Sequence, residues 1–154
     1  VNMYGPGDNF DLDNSHVIPA LIRKIAYAID HNSDVVEVWG TGFESREFVY
    51  IEDVAEAVIL ASERYESSAP VNIGSGKEIR MNELAEILKD LMGYKGTFKY
   101  LNNGLGGQVR RLLDVSKAEQ EFGFKAKTNF YEGLEKTIRA FYDNREKIEN
   151  GDCK

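Results

Sequence analysis

Cysteine is all but absent from this 154-residue chain: the one present, Cys153, stands next to the end. A single thiol can form neither an internal disulfide nor a four-ligand zinc site, so no metal centre is expected and a reducing, cytoplasmic setting is favoured. No uninterrupted apolar run approaches the roughly 18–20 residues of a membrane span, and the amino terminus lacks a basic-then-apolar signal pattern. An excess of positive charge is lacking too. With 19 basic and 26 acidic residues the formal charge is −7, which argues against sequence-blind binding to nucleic acid or anionic lipid. No repeat, low-complexity block or proline-rich linker divides the chain, and its length suits one domain with room for an appended lobe.

Four motifs of binding and catalysis are also wanting. None of the 14 glycines starts a G-x-G-x-x-G turn: Gly5-Pro6-Gly7 has Phe10 at the third position, Gly74-Ser75-Gly76 has Ile79, and Gly104-Leu105-Gly106 has Val109. The close approach of a helix amino terminus to a pyrophosphate therefore has no local signature here. None of the eight tyrosines has a lysine four residues on, which excludes the Tyr-x-x-x-Lys proton donor of short-chain dehydrogenases from this stretch. Phosphate-loop and H-E-x-x-H motifs are absent as well.

What is there reads as a globular α/β chain, 42% hydrophobic and 29% charged. Apolar residues at 3/4 spacing from Val17 to Ile29 predict a helix with Ser15 as N-cap and Pro19 in its first turn. Val36 and Val38 alternate in a strand from Asp34 to Trp39, and Gly40-Thr41-Gly42 hinges it to a second strand from Glu47 to Ile51. A helix capped by Asp53 follows, then a strand at Val71-Asn72-Ile73, and a helix capped by Asn82 that Gly93 stops. Thr97 to Leu101 predicts a strand, Asn102 to Gln108 a flexible loop, Ser116 to Gly123 a short helix. The last helix carries Leu134, Ile138, Phe141 and Tyr142, and the charged tail from Asn144 is expected to fray.

Several polar residues fall where chemistry can use them. His16 either helps cap the first helix or, its charged form disfavoured by the helix dipole, serves as a neutral acid or base. Trp39 is either a core residue or a flat face for a ligand. Arg46, Arg110 and Arg111 flank the two glycine loops, as clamps for a diphosphate or as surface partners of Glu44, Glu47 or Asp114. The acidic runs Glu52-Asp53 and Glu83/Glu86 read as solvated helix faces, and Phe130, Tyr131, Phe141 and Tyr142 as packing residues.

Taken together the segments resemble a known family. Asn2-Met3-Tyr4-Gly5-Pro6 resembles the N-x-Y-G-P turn of extended short-chain dehydrogenases acting on nucleotide sugars, and Arg46 to Ala55 (REFVYIEDVA) resembles their R-x-F-[VI]-Y-x-x-D-[VL]-A segment. Gly5 to Phe10, His16 to Lys24 and Val38 to Gly42 are similar to the GDP-L-fucose synthase family within it. The resemblance implies the carboxy-terminal, substrate-binding portion of an NADP-dependent 3,5-epimerase/4-reductase: residues 1–147, of which 1–10 end a Rossmann part that precedes Val1, with 148–154 a frayed tail. The start at Val1, without an initiator methionine, likewise reads as a cut from a longer protein.

By position the resemblance implies that Val1, Asn2, Met3 and His16 contact NADP, that His16 is the acid of epimerisation, and that Lys24, Trp39 and Arg46 bind a GDP-sugar, with Arg110 and Arg111 as further bases. The cysteine and tyrosine that complete the chemistry would come from the preceding half, so this chain alone is expected to be inactive and the intact enzyme a cytoplasmic homodimer. Residues 104–111 depart from the family pattern, which has an aspartate near Gly106 and a proline near Val109; this bears on which 4-keto sugar fits. A UDP- or dTDP-sugar 4-epimerase or 4,6-dehydratase, or a non-catalytic binding module, remain the alternatives.

Overall fold

The computed structural model describes residues 1–102 and 108–150. Eleven elements follow one another: β1 (Asn2–Tyr4), α1 (Val17–Asp30), β2 (Val35–Trp39), β3 (Ser45–Tyr50), α2 (Ile51–Arg64), β4 (Glu78–Arg80), α3 (Met81–Met92), β5 (Thr97–Leu101), α4 (Ser116–Phe122), α5 (Phe130–Asp143) and α6 (Arg145–Glu149). This is the expected mixed α/β chain with small sheets. Both two-stranded contacts at its centre are parallel. β1 pairs with β3 in the register Asn2↔Phe48 to Tyr4↔Tyr50, and β2 pairs with β5 from Val35↔Thr97 to Trp39↔Leu101. A parallel pair cannot be closed by a tight turn, so α1 crosses between β1 and the β2–β3 region. The two strands on either side of Gly40–Gly42 thus enter different sheets.

The main core lies between α1, α3, α5 and the inner faces of the strands. Ile18, Leu21, Ile22 and Ile25 of α1 meet Leu84 and Leu88 of α3, with Phe141 of α5 and Phe10 closing one end. These positions recur every three or four residues, which brings them to one helix face. A smaller cluster joins α2 to α4 through Ala57, Ala118, Phe122 and Phe124. Gly93 ends α3 in the left-handed conformation, φ 69°, as glycine at this position readily does.

Several local expectations are corrected. His16, not Ser15, occupies the N-cap of α1, because Ser15 belongs to the preceding turn, its N–H donating to Asp11 O at 2.7 Å. Asp53 lies inside the first turn of α2 and is buried. Its carboxylate accepts from the Thr128 N–H at 3.1 Å and the Thr128 hydroxyl at 2.9 Å, so it joins two segments and is no solvated face. Asn82 is likewise within α3, whose N-cap is Arg80. Val71–Ile73 forms no strand: the Asn72 side chain donates to Asp114 O, while Val71 and Ile73 pack on the small cluster. Instead Glu78–Arg80, only three residues long with one apolar side chain, pairs antiparallel with β3.

At the tail, Arg145–Glu149 is helical rather than frayed, held by Arg145, which pairs with Asp30 of α1 and with Glu149. Among the aromatics read as packing residues, Phe141 is fully buried whereas Tyr131 and Tyr142 are exposed. The expected loop centre at residues 103–107 and Cys153 fall outside the described residues.

Candidate functional site

The amino-terminal half of α1 and the edge formed by β2 and β3 bound a cleft of about 360 Å³. Asn2, His16, Lys24, Trp39 and Arg46 all line it. They come from four elements and are brought together because β1 and β3 are neighbours while α1 lies across them. A second cleft of about 260 Å³ is lined by Val1, Asn2, Met3, the turn Gly5–Asn9, His16 and Ile51. Asn2 and His16 belong to both linings, so they form the wall between the two.

His16 is exposed at the N-cap and its side chain makes no capping bond. Asp8, in the adjoining turn, has one carboxylate oxygen accepting from Asn9 N–H at 2.8 Å and the other buried without a partner among the described residues. Burial pushes the Asp8 carboxyl up, against the opposing pull of the Asn9 N–H and the nearby His16.

Trp39 is 71% exposed and is not a core residue. Alternation along β2 explains this: Val36 and Val38 point inward, so Val35, Glu37 and Trp39 point outward. Lys24 sits 5.2 Å above the Trp39 ring and donates to Glu37 O at 3.0 Å, a cation–π arrangement that fixes the ammonium. Burial draws the Lys24 ammonium below its ordinary range, partly offset by Glu37.

Arg46 pairs with neither Glu44 nor Glu47. Its Nη1 donates to Ser45 O at 2.8 Å, and the residue lines the cleft. Glu44, also in the lining, shapes the Gly40–Gly42 loop: its carboxylate accepts from Thr41 N–H, Thr41 Oγ1 and Gly42 N–H. Burial would raise its pKa, but these bonds and one from its own N–H together lower it. Sequence reasoning missed this role, although Thr41-x-x-Glu44 has the spacing of a capping box.

Glu47 points to the opposite side of β3 and is 1% exposed. Its two oxygens accept from Gly76 N–H and Leu113 N–H, each at 2.7 Å. Gly74 gives the room for this, since a Cβ there would run into Glu47 Oε1. Arg110 and Arg111 lie beside β3, where Ser45 N–H donates to Val109 O and Arg111 N–H to Ser45 O. Among the described residues neither side chain lines the cleft. Arg110 Nε pairs with Glu78 at 2.7 Å, and Arg111 Nε donates to Gln108 Oε1.

With this geometry established, comparison with known proteins is informative. Residues 1–74 match the NAD dependent epimerase/dehydratase family. The probable GDP-L-fucose synthase 1 of Oryza sativa subsp. japonica is 43% identical over 143 residues, covering 93% of this chain and 43% of the relative. Over most of its length the chain is similar to proteins named GDP-L-fucose synthase. The enzyme of that name from Escherichia coli (strain K12) is 37% identical, with 96% of this chain and 48% of the relative covered. The crystal structure of a GDP-L-fucose synthetase from Naegleria fowleri bound to NADP superposes with a TM-score of 0.86 at 26% identity, covering 94% of this chain and 46% of that one. The chain thus spans less than half the length of these relatives.

Proposed function

We propose that this chain is the substrate-binding portion of an NADP-dependent nucleotide-sugar 3,5-epimerase/4-reductase that converts GDP-4-keto-6-deoxymannose to GDP-L-fucose. The observation that carries this reading is the shared wall of Asn2 and His16 between the two clefts. Such a wall is what a reaction between a cofactor and a sugar requires. The cleft at Val1–Met3 suits one ring end of a dinucleotide and is too small for the whole, in keeping with the absent glycine fingerprint. Val1, Asn2, Met3 and His16 would hold the nicotinamide end, whose chemistry when bound is hydride supply.

The chain's own residues then have separable tasks. Arg46 offers a fork to the diphosphate, with charge-assisted bonds to its oxygens. Lys24 and Trp39 orient the nucleotide side of the ligand. His16 holds the proton that returns to carbon 3 or 5 after the neighbouring ketone has acidified it. The base and the tyrosine are expected from outside this chain, and inactivity of the chain alone is part of the same proposal. For the full-length enzyme we retain a cytoplasmic homodimer; no helix among the described residues is long and apolar enough to cross a membrane.

The test is kinetic, in the full-length protein. Arg46→Ala is expected to weaken GDP-sugar binding by roughly 1.5–3 kcal/mol through loss of a charged hydrogen bond, and His16→Asn to suppress deuterium uptake at carbons 3 and 5 more than reduction. Turnover of UDP-galactose without NADPH oxidation on GDP-4-keto-6-deoxymannose would overturn the assignment in favour of a UDP-sugar epimerase.

A further inference from the structure

Of the buried side-chain oxygens among the described residues, three have no hydrogen-bond partner: Asp8 Oδ2, Ser15 Oγ and Tyr50 Oη. The first two adjoin His16. Ser15 precedes it in the chain and lines the first cleft with it, and Asp8 lines the second cleft with it. A hydroxyl can turn its hydrogen toward whatever accepts it, but a carboxylate oxygen only accepts, so Asp8 Oδ2 calls for a donor. Among the described residues His16 is the one basic side chain in the lining of that second cleft. Tyr4, also there, spends its hydroxyl on Phe130 O.

The turn before α1 holds Asp8 in place. Its N–H donates to Gly5 O at 3.2 Å and its Oδ1 accepts from Asn9 N–H at 2.8 Å, which leaves Oδ2 uncommitted. Burial raises the carboxyl, and the Asn9 N–H and then the charge of His16 draw it part of the way back; the ring is near enough to act on it. A buried carboxylate oxygen without a bond costs stability, and such a cost is kept where activity draws on it.

We infer that Asp8 is the positioning residue of His16: Oδ2 accepts the N–H of the ring nitrogen on its side and so turns the other nitrogen to the sugar. This rests on the reading of His16 as the acid of epimerisation. In the acid form both ring nitrogens carry hydrogen. One hydrogen passes as a proton to carbon 3 or 5, whose electron pair forms the new C–H bond. The other stays between the ring and Asp8, and the ring is left neutral.

Asp8→Asn tests this, since the amide oxygen keeps the bond from Asn9 and the NH₂ group takes the place of Oδ2, a donor where an acceptor stood. The full-length protein is measured as wild type, Asp8→Asn and Asp8→Ala. Deuterium uptake at carbons 3 and 5 of GDP-4-keto-6-deoxymannose is followed with NADP in place of NADPH, so that epimerisation runs without reduction. Melting temperature at pH 7 and the His16 tautomer, read by nitrogen NMR of the ring, complete the set. A general acid contributes about 10²–10⁴-fold in all. Asp8→Asn is expected to lose roughly tenfold or more of this, to move the ring hydrogen to the other nitrogen, and yet to melt higher than wild type. Asp8→Ala, which leaves the ring free to turn, is expected to lose less. Uptake and tautomer both as in wild type, with His16→Asn still lowering uptake, overturn the positioning role and leave the functional reading standing. Lower uptake together with a lower melting temperature and an unmoved tautomer also overturns it, as a structural effect. Wild type without uptake at either carbon overturns the functional reading and the inference together.

Discussion

Glu47→Gln keeps the length of a buried side chain but removes its charge and one of its two acceptors. In the native chain Oε1 and Oε2 each take a backbone N–H at 2.7 Å, from Gly76 and Leu113. An amide can serve only one of them; its NH₂ must face the other donor. The lost charge-assisted bond is worth roughly 1.5–3 kcal/mol, and the surviving one falls by about 1 kcal/mol on becoming neutral. Relief from burying a charge offsets part of this. The expected net loss is about 2–3 kcal/mol, which for a chain of this size lowers Tm by roughly 4–12 °C. Thermal unfolding followed by circular dichroism reads the shift, and hydrogen exchange at Gly76 and Leu113 reads its origin. A melting temperature within about 1 °C of wild type, with both amides still protected, would refute the view that this carboxylate ties β3 to its two neighbouring segments.

Asp53→Ala should destabilise by about 1–3 kcal/mol, because it removes a buried carboxylate that accepts two bonds from the part-buried Thr128; the urea midpoint measures this, and an unmoved midpoint would contradict it. Asp8 gives a pH-dependent case. Its folded pKa is raised, chiefly by burial, so its contribution to stability is present below the unfolded carboxylate pKa and is lost as pH rises through the folded value. Asp8→Asn is therefore expected to melt higher than wild type at pH 7, with the gain disappearing below the usual carboxylate range. The same difference at both pH values would show that charge burial is not the cause.

Long, strongly periodic features were legible in the sequence. α1 and α3 show their buried stripes, Gly93 and Gly123 mark helix ends, and Val36/Val38 announce a strand that also turns Trp39 outward. The resemblance drew attention to Lys24, Trp39 and Arg46, and the fold places all three on one cleft. Features made by distant partners were not legible. Glu78–Arg80 becomes a strand only because β3 presents an edge to it, and Val71–Ile73, though apolar, finds no such edge. Asp53 and Glu47 sit in charged stretches that look solvated until Thr128, Gly76 and Leu113 are folded against them. Local pattern cannot report which acid will be buried, since its partners lie 29 to 75 residues away.

The contact between β1 and α5 has a bearing on how the chain assembles. Tyr4 is buried against Phe130, ring centroids 5.5 Å apart, and its hydroxyl donates to Phe130 O across a separation of 126 residues. Gly133, one turn along α5, lets the helix close on that ring. The first strand therefore cannot complete its surroundings during synthesis until α5 has emerged. Closing so long a loop is entropically slow, which puts the docking of α5 on β1 among the late events of folding. Until then Tyr4 and Phe48, whose rings meet edge to face in the folded chain, share an aromatic surface open to wrong partners.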